Sequence, residues 1–102
     1  MTKDWDAPTD LSPLGLAAVS VFKTVAKEKK TTYSGSKVFY SPKEWADRGE
    51  SFGLNSELII QYDGSPDVRF LAALSHDVAG DLLMHGLYVE SCTGWYSAVY
   101  KI

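Results

Sequence analysis

Residues 13–29 form the longest periodic segment of this chain and constrain its fold most. Ser12-Pro13 is typical of a helix start, because serine caps the free N–H groups and proline at the first helical position loses no hydrogen bond. Apolar residues then recur at three- and four-residue spacing, giving one stripe formed by Leu14, Ala17, Ala18, Val21, Phe22 and Val25. The segment ends in lysines, which suit the negative end of a helix dipole. A helix with one apolar stripe must pack on another layer.

The next residues predict parts of that layer. A short strand is expected around residues 37–40, and Ser41-Pro42-Lys43-Glu44 is a capping box that opens a short helix ended by Gly49. Trp45, its one large apolar residue, is expected to anchor this helix to a sheet. The clearest strand is SELIIQYDG, a β-branched apolar run closed by a strong turn signal, Asp63-Gly64.

The segment PDVRFLAAL after this turn has two interpretations. It can return as the second half of a hairpin, with Val68 and Phe70 on one face, or it can begin a helix; we favour the strand over residues 67–72. Ser75 then caps a helix that ends at Gly86, and its expected apolar face consists of Val78, Ala79, Leu82 and Leu83. LYVES and WYSAVYKI form a closing hairpin about Thr93-Gly94.

The predicted order of elements is therefore α-β-α-β-β-α-β-β. This order predicts an α+β fold with an antiparallel or mixed sheet and helices packed on one face. A chain of 102 residues is expected to form one domain, 1–102. Residues 1–11 are expected to be a loose lead-in, from which Trp5 can dock back onto the core.

Composition narrows the classes of function. Ten basic and thirteen acidic residues give a net charge of −3, so broad nucleic-acid binding is disfavoured. The single cysteine cannot form an intramolecular disulfide, and the polar N-terminus does not resemble a signal peptide. No apolar run approaches the roughly 20 residues that span a bilayer. We therefore expect a cytoplasmic protein without a membrane partner.

Two groups of residues are candidates for a catalytic site or a metal site. Cys92 would need a histidine within hydrogen-bond reach to act as a nucleophile, and neither His76 nor His85 stands in a local motif with it, so a small buried residue is the favoured interpretation. Asp77, Asp81 and His85 repeat every four residues and would share one helix face, as metal ligands or as an ordinary solvated face. We favour the solvated face and expect no metal or other cofactor.

The lysine-rich loop Lys27–Lys37 is the one basic neighbourhood, and it includes Tyr33. Positive charge beside an exposed aromatic ring is what contact with a single-stranded nucleic acid uses. A helix end followed by a flexible loop explains the same residues, and this interpretation is favoured.

Aromatic residues are more numerous than a core of this size needs, and a polar loop, WADRGESFG, lies among them. Alternation along residues 95–102 separates Trp95, Ser97 and Val99 from Tyr96, Ala98, Tyr100 and Ile102, so that one set faces the helices. Protein interfaces favour tyrosine, tryptophan and arginine. The predicted partner-binding residues are Trp45, Arg48, Glu50, Tyr62, Tyr96 and Tyr100. Packing between the sheet and the helices is the competing explanation for the aromatic rings.

YSPKEWADRGESFG, SELIIQYDG and ESCTGWYSAVYKI resemble a group of small, mostly uncharacterised proteins encoded by bacteriophages and prophages. The similar stretches cover about residues 33–102. The resemblance implies a small, soluble accessory protein made inside an infected bacterium, and it transfers no catalytic residue.

Three hypotheses about function follow. The first is a non-enzymatic protein that binds a bacterial host or defence protein stoichiometrically, for example as an anti-CRISPR inhibitor. The second is a small-ligand-binding or enzymatic domain that uses Cys92, His85 and nearby tyrosines. The third is nucleic-acid contact through the lysine loop. We favour the first.

Overall fold

The computed structural model describes residues 5–31, 37–63 and 65–102. In chain order its elements are α1 (Pro13–Glu28), β1 (Phe39–Tyr40), α2 (Pro42–Asp47), β2 (Leu58–Gln61), α3 (Pro66–Ala73), α4 (His76–Met84), β3 (Leu87–Ser91) and β4 (Tyr96–Lys101). This confirms the predicted α+β class. Every predicted element except the fifth has the expected type.

The strands form one sheet in the order β1-β2-β4-β3, and every neighbouring pair is antiparallel. Leu58 and Val89 both lie opposite Val99, so β4 is paired on both sides and forms the centre of the sheet together with β2. Strand β3 is an edge strand. The closing hairpin is confirmed, and its turn lies between Ser91 and Tyr96.

The two faces of the sheet bury different clusters. The first face carries Phe39, Leu58, Ile60, Leu87 and Val99, which pack with the buried residues of α1, α3 and α4. The second face carries Tyr40, Ile59, Tyr96, Ala98 and Tyr100, which pack around Trp45 of α2. The three longer helices thus pack on one face, as predicted, and the short α2 covers part of the other.

Helix α1 has its predicted start and, within one residue, its predicted end. The hydroxyl oxygen of Ser12 accepts a hydrogen bond from the backbone N–H of Gly15 at 3.1 Å. A Cβ at Gly15 would lie 2.5 Å from the carbonyl oxygen of Glu57, so glycine allows α1 to approach the residue that precedes β2. No helix in the described ranges combines the length and apolar character needed to cross a membrane.

The predicted strand over residues 67–72 is wrong, because these residues belong to α3. The hydroxyl oxygen of Ser65 accepts from the backbone N–H of Val68, and Pro66 occupies the first turn. The buried residues of α3 are Val68, Leu71 and Ala72, at helical spacing. Phe70 is half exposed instead of sharing a face with Val68. The Ser-Pro start signal, already decisive for α1 and α2, outweighed the β-branched residues here.

Helix α4 buries a narrower stripe than its sequence predicts. Val78 and Leu82 are buried, whereas Ala79 and Leu83 are exposed. The predicted four-residue apolar face is therefore wrong in half of its members, because a nine-residue helix above an edge strand has neighbours on fewer sides.

The lead-in is packed from Trp5 onward and is not loose there. Trp5 is buried and meets Phe39 edge to face, with ring centroids 5.7 Å apart. The carboxylate of Asp10 accepts a hydrogen bond from the Ser41 hydroxyl at 2.9 Å. Residues 1–4 lie outside the described residues.

Candidate functional site

Trp45 is the centre of an aromatic cluster on the second face of the sheet. Its side chain is 0% exposed, and its ring centroid lies 4.9 Å from those of Tyr40 and Tyr96 and 5.5 Å from that of Trp95. The capping box of α2 is present, with Ser41 and Glu44 each accepting a hydrogen bond from the other's backbone N–H at 3.0 Å. A six-residue helix is marginal by itself, so the cluster and the cap together hold α2 in place.

Three of the six predicted partner-binding residues are interior. Trp45 and Tyr96 fill the cluster on the second face, and Tyr62 is buried on the first face, where its hydroxyl lies 3.0 Å from the Ser97 hydroxyl. Tyr62 also borders a groove of about 350 Å³, which is lined by Phe70 of α3 and by Leu74 directly after it, among other residues. These three rings are packed in the interior and expose almost none of their surface.

Arg48 lies directly over the cluster. Its guanidinium carbon is 4.5 Å from the ring centroid of Trp45 and 5.2 Å from that of Tyr40, which is cation–π geometry. No salt bridge involves Arg48 within the described ranges. The stacked guanidinium therefore keeps N–H donors available to an acidic or carbonyl group of a partner. Glu50 is partly exposed nearby, and its backbone N–H donates to the carbonyl of Trp45 at 3.3 Å.

The loop after α2 places Phe52 beside the cluster. Tyr96 donates its phenolic hydrogen to the carbonyl of Phe52 at 3.4 Å, and the Phe52 side chain is 58% exposed. Gly53 lies against Ile59 and Ala98. Phe52 is therefore an exposed ring on backbone that the sheet holds in place.

Tyr88 and Tyr100 continue the aromatic surface to the edge of the sheet. They lie opposite each other in β3 and β4, with ring centroids 5.6 Å apart and an interplanar angle of 26°. Tyr88 is 43% exposed and Tyr100 is partly exposed. Neither Tyr88 nor Phe52 was predicted as a site residue. Alternation in the closing hairpin would have placed Tyr88 beside Tyr100 once the register was known.

Cys92 is half-buried between this stack and the loop of Gly53. Its thiol makes a long contact of 3.9 Å, as donor, with the carbonyl of Glu90. Burial raises the pKa of the Cys92 thiol; a side-chain hydrogen bond with Tyr100 acts in the opposite direction, and the charge of Glu90 adds to the rise. His85 precedes β3 and Cys92 follows it, so the strand separates them by roughly 20 Å. The structure does not bring the predicted thiol–imidazole pair together.

The raised pKa of Cys92 predicts a loss of stability at alkaline pH. Burial also raises the pKa of Tyr100, so the native state holds both protons more tightly than the unfolded chain does. This contribution is fully present below about pH 8.5, the pKa of an unperturbed cysteine, and is lost as the pH rises through the raised values. Denaturant titrations should show that Cys92→Ala loses less free energy of unfolding than wild type between about pH 8 and pH 10.5. Equal losses of free energy in the variant and in wild type would contradict the raised pKa of Cys92.

Two alternatives remain, the Asp77–His85 helix face and the lysine loop, of which residues 32–36 lie outside the described residues. No group of three or more His, Cys, Asp or Glu side chains in the described ranges is arranged to hold a metal ion, and Asp77 instead pairs with Lys29 at 3.0 Å. In the lysine loop, Lys37 pairs with Glu44 at 2.8 Å. Tyr33 lies outside the described residues.

We define the aromatic surface as Arg48, Glu50, Phe52, Tyr88 and Tyr100. It joins three predicted site residues to two that the sequence analysis missed. Arg48 stacks on Trp45, and Tyr100 packs against the Trp45 cluster. Exposed rings and one stacked guanidinium are suited to binding rather than to proton or group transfer. No protein-family model, curated protein or solved structure matches this chain.

Proposed function

We propose that this protein acts by stoichiometric binding to a protein of a host bacterium through the aromatic surface. The observation that carries the proposal is the exposed Tyr88–Tyr100 stack, which shares one face with Phe52 and Arg48. Tyrosine and arginine dominate the binding energy of interfaces when they are held rigidly. Here the buried Trp45 cluster provides the rigid support, so little side-chain entropy is lost on binding.

We propose that the partner is a component of a bacterial defence system and that this protein blocks it by binding. The resemblance of residues 33–102 to small phage and prophage accessory proteins supports this choice. Acidic or carbonyl groups of such a partner would bind Arg48, and its apolar side chains would contact the rings. An anti-CRISPR role in the cytoplasm of the infected cell is the form that we propose.

Two observations favour binding over the alternative functions. The Cys92 thiol has a raised pKa and is a full strand away from His85, so the pair is poorly arranged for nucleophilic catalysis. Lys29 and Lys37 both pair with carboxylates, which weakens the case for a phosphate contact through the lysine loop.

The test joins a binding assay to a functional assay. The protein is expressed in bacteria that carry an active CRISPR system, and phage plaquing efficiency is measured together with recovery of defence proteins at high salt. We expect wild type to restore plaquing and to recover a defence component at a fixed ratio. The double variant Arg48→Ala/Phe52→Ala should weaken that complex by about 30-fold, the effect of losing roughly 2 kcal/mol at a hot spot.

Phe70→Ala/Leu74→Ala is the matched control, because these exposed apolar residues lie on α3 and directly after it, outside the aromatic surface. It should bind and restore plaquing like wild type. Plaquing that stays low with wild type in every defence-active strain would contradict the proposed inhibition. Equal weakening by both double variants would contradict the assignment to the aromatic surface.

A further inference from the structure

Strand β3 has a free edge whose backbone groups can be identified. The backbone N–H of Cys92 donates to the carbonyl of Tyr96 at 3.1 Å, and that of Ile102 donates to the carbonyl of Gly86 at 2.9 Å. In an antiparallel pair these groups alternate in direction along the strand. Tyr88 and Glu90 therefore direct their backbone groups toward β4, and Leu87, Val89 and Ser91 direct theirs away from the sheet. Within the described part of the chain, β4 is the only strand paired with β3.

This edge has few of the features that usually protect an edge strand, since Glu90 is its one charged residue. Its sequence, LYVES, contains no lysine and no proline, and its one-to-one register with β4 contains no bulge. Four of its five residues are apolar, aromatic or small. Such a strand is suited to adding another strand.

Exposed apolar residues lie next to the same edge. Helix α4 packs on the sheet through Val78 and Leu82 and ends at Met84, only three residues before β3 begins. Leu83 is 63% exposed and Met84 is 86% exposed. Leu83 and Met84 precede Leu87 by only four and three residues. We therefore expect exposed apolar surface to continue from the end of α4 to the unpaired edge.

We propose that β3 pairs antiparallel with β3 of a second copy of this chain, giving a two-fold symmetric dimer. The two four-stranded sheets would become one continuous sheet. With Val89 opposite its own symmetry mate, Leu87 lies opposite Ser91 on both sides of the axis. Each of these three outward-facing pairs exchanges two backbone hydrogen bonds.

The side chains of this register avoid a pairing of like charges. On the second face, Tyr88 lies opposite Glu90 of the other copy, so a phenolic hydroxyl meets each carboxylate and the two carboxylates do not face each other. The exposed edge has no other charged side chain within β3.

The area that an interface needs favours a second copy over an isolated extended segment. Stable interfaces take about 800 Å² from each partner, about one-seventh of the 5679 Å² surface of this chain. A five-residue strand is only about 17 Å long and cannot supply that area alone. A second copy also brings its own α4, which covers Leu83 and Met84 across the axis. The dimer does not rest on the proposed function, although Tyr88 belongs to both surfaces.

Sedimentation velocity from about 1 to 200 μM tests the dimer with three variants. Wild type should sediment as a species of twice 11.2 kDa that dissociates on dilution. Leu83→Lys/Met84→Lys should weaken the dimer at least about tenfold, because each copy then places two charges on exposed apolar surface that the dimer buries. Ser91→Pro should also weaken it, because it removes one outward N–H group from the edge.

The control is Leu16→Lys/Leu74→Lys, which places the same charge at comparably exposed leucines outside β3 and α4. It should dimerise like wild type, and circular dichroism should show that every variant is folded. A wild-type monomer over the whole range would overturn the proposal, as would equal weakening by the control. A folded Ser91→Pro variant that dimerises normally would overturn the strand pairing.

Discussion

Replacing Trp45 with alanine is expected to lower the free energy of unfolding by about 3–5 kcal/mol, which is a large part of the roughly 5–15 kcal/mol that stabilises a domain. Trp45 is fully buried and contacts three aromatic rings, and it is the one buried side chain of α2. Its removal leaves a cavity that the small helix cannot fill. Denaturant titration followed by circular dichroism measures the effect.

Trp45→Phe is the matched control. The indole N–H of Trp45 has no hydrogen-bond partner among the described residues, so phenylalanine removes a buried donor as well as part of the ring. We expect the control to cost less than half as much as alanine. A small effect of alanine would mean that α2 is not held by the cluster, and the support proposed for Arg48 and Phe52 would be lost with it.

Gly53→Ala is expected to destabilise the protein by about 2–5 kcal/mol for two separate reasons. The φ angle of Gly53 is +82°, which costs an L-residue about 1–2 kcal/mol. A Cβ there would also lie 2.7 Å from Cδ1 of Ile59 and 3.2 Å from Cβ of Ala98, and overpacking adds about 1–3 kcal/mol. The same denaturant titration applies.

Gly49→Ala separates the two reasons. Gly49 has a similar φ of +87°, but no neighbouring atom lies within 4 Å of the position of its Cβ. This variant should lose only the conformational part, about 1–2 kcal/mol. If both alanine variants lost the same free energy, the packing of Gly53 against the sheet would be contradicted.

The two destabilising changes also bear on the aromatic surface. Trp45 lies beneath Arg48, and Gly53 follows Phe52 directly along the chain. Loosening either support frees side chains that the proposed binding requires in fixed positions. Partner binding by Trp45→Ala or Gly53→Ala is therefore expected to fall even at temperatures where the chain remains folded.

The sequence predicted the elements with local start and stop signals. The serine caps of α1, α2 and α4 and the turn of the closing hairpin act within a few residues of the chain, so they can be read without knowing the fold. The same kind of signal stood at Ser65-Pro66, and the strand prediction for residues 67–72 gave it too little weight. The start of α3 could therefore be predicted from the sequence, because the Ser65-Pro66 signal is local.

The candidate site was predicted less completely. Arg48, Glu50 and Tyr100 lie on the aromatic surface, but Trp45, Tyr62 and Tyr96 are buried. Residue type alone does not distinguish a tyrosine that faces a helix from one that faces solvent. The distinction depends on which face of the sheet each helix covers.

The sequence by itself determined the α+β class, the capped helices, the anchoring role of Trp45 and the closing hairpin, because each depends on local backbone preferences or on apolar periodicity. Only the tertiary structure decided that α2 lies on the second face, that β3 is a free edge, and that Tyr88 stacks on Tyr100 beside it. These features depend on strand order and on contacts between residues far apart in the chain. No local pattern encodes such contacts, so the surface that we propose for binding emerged only with the fold.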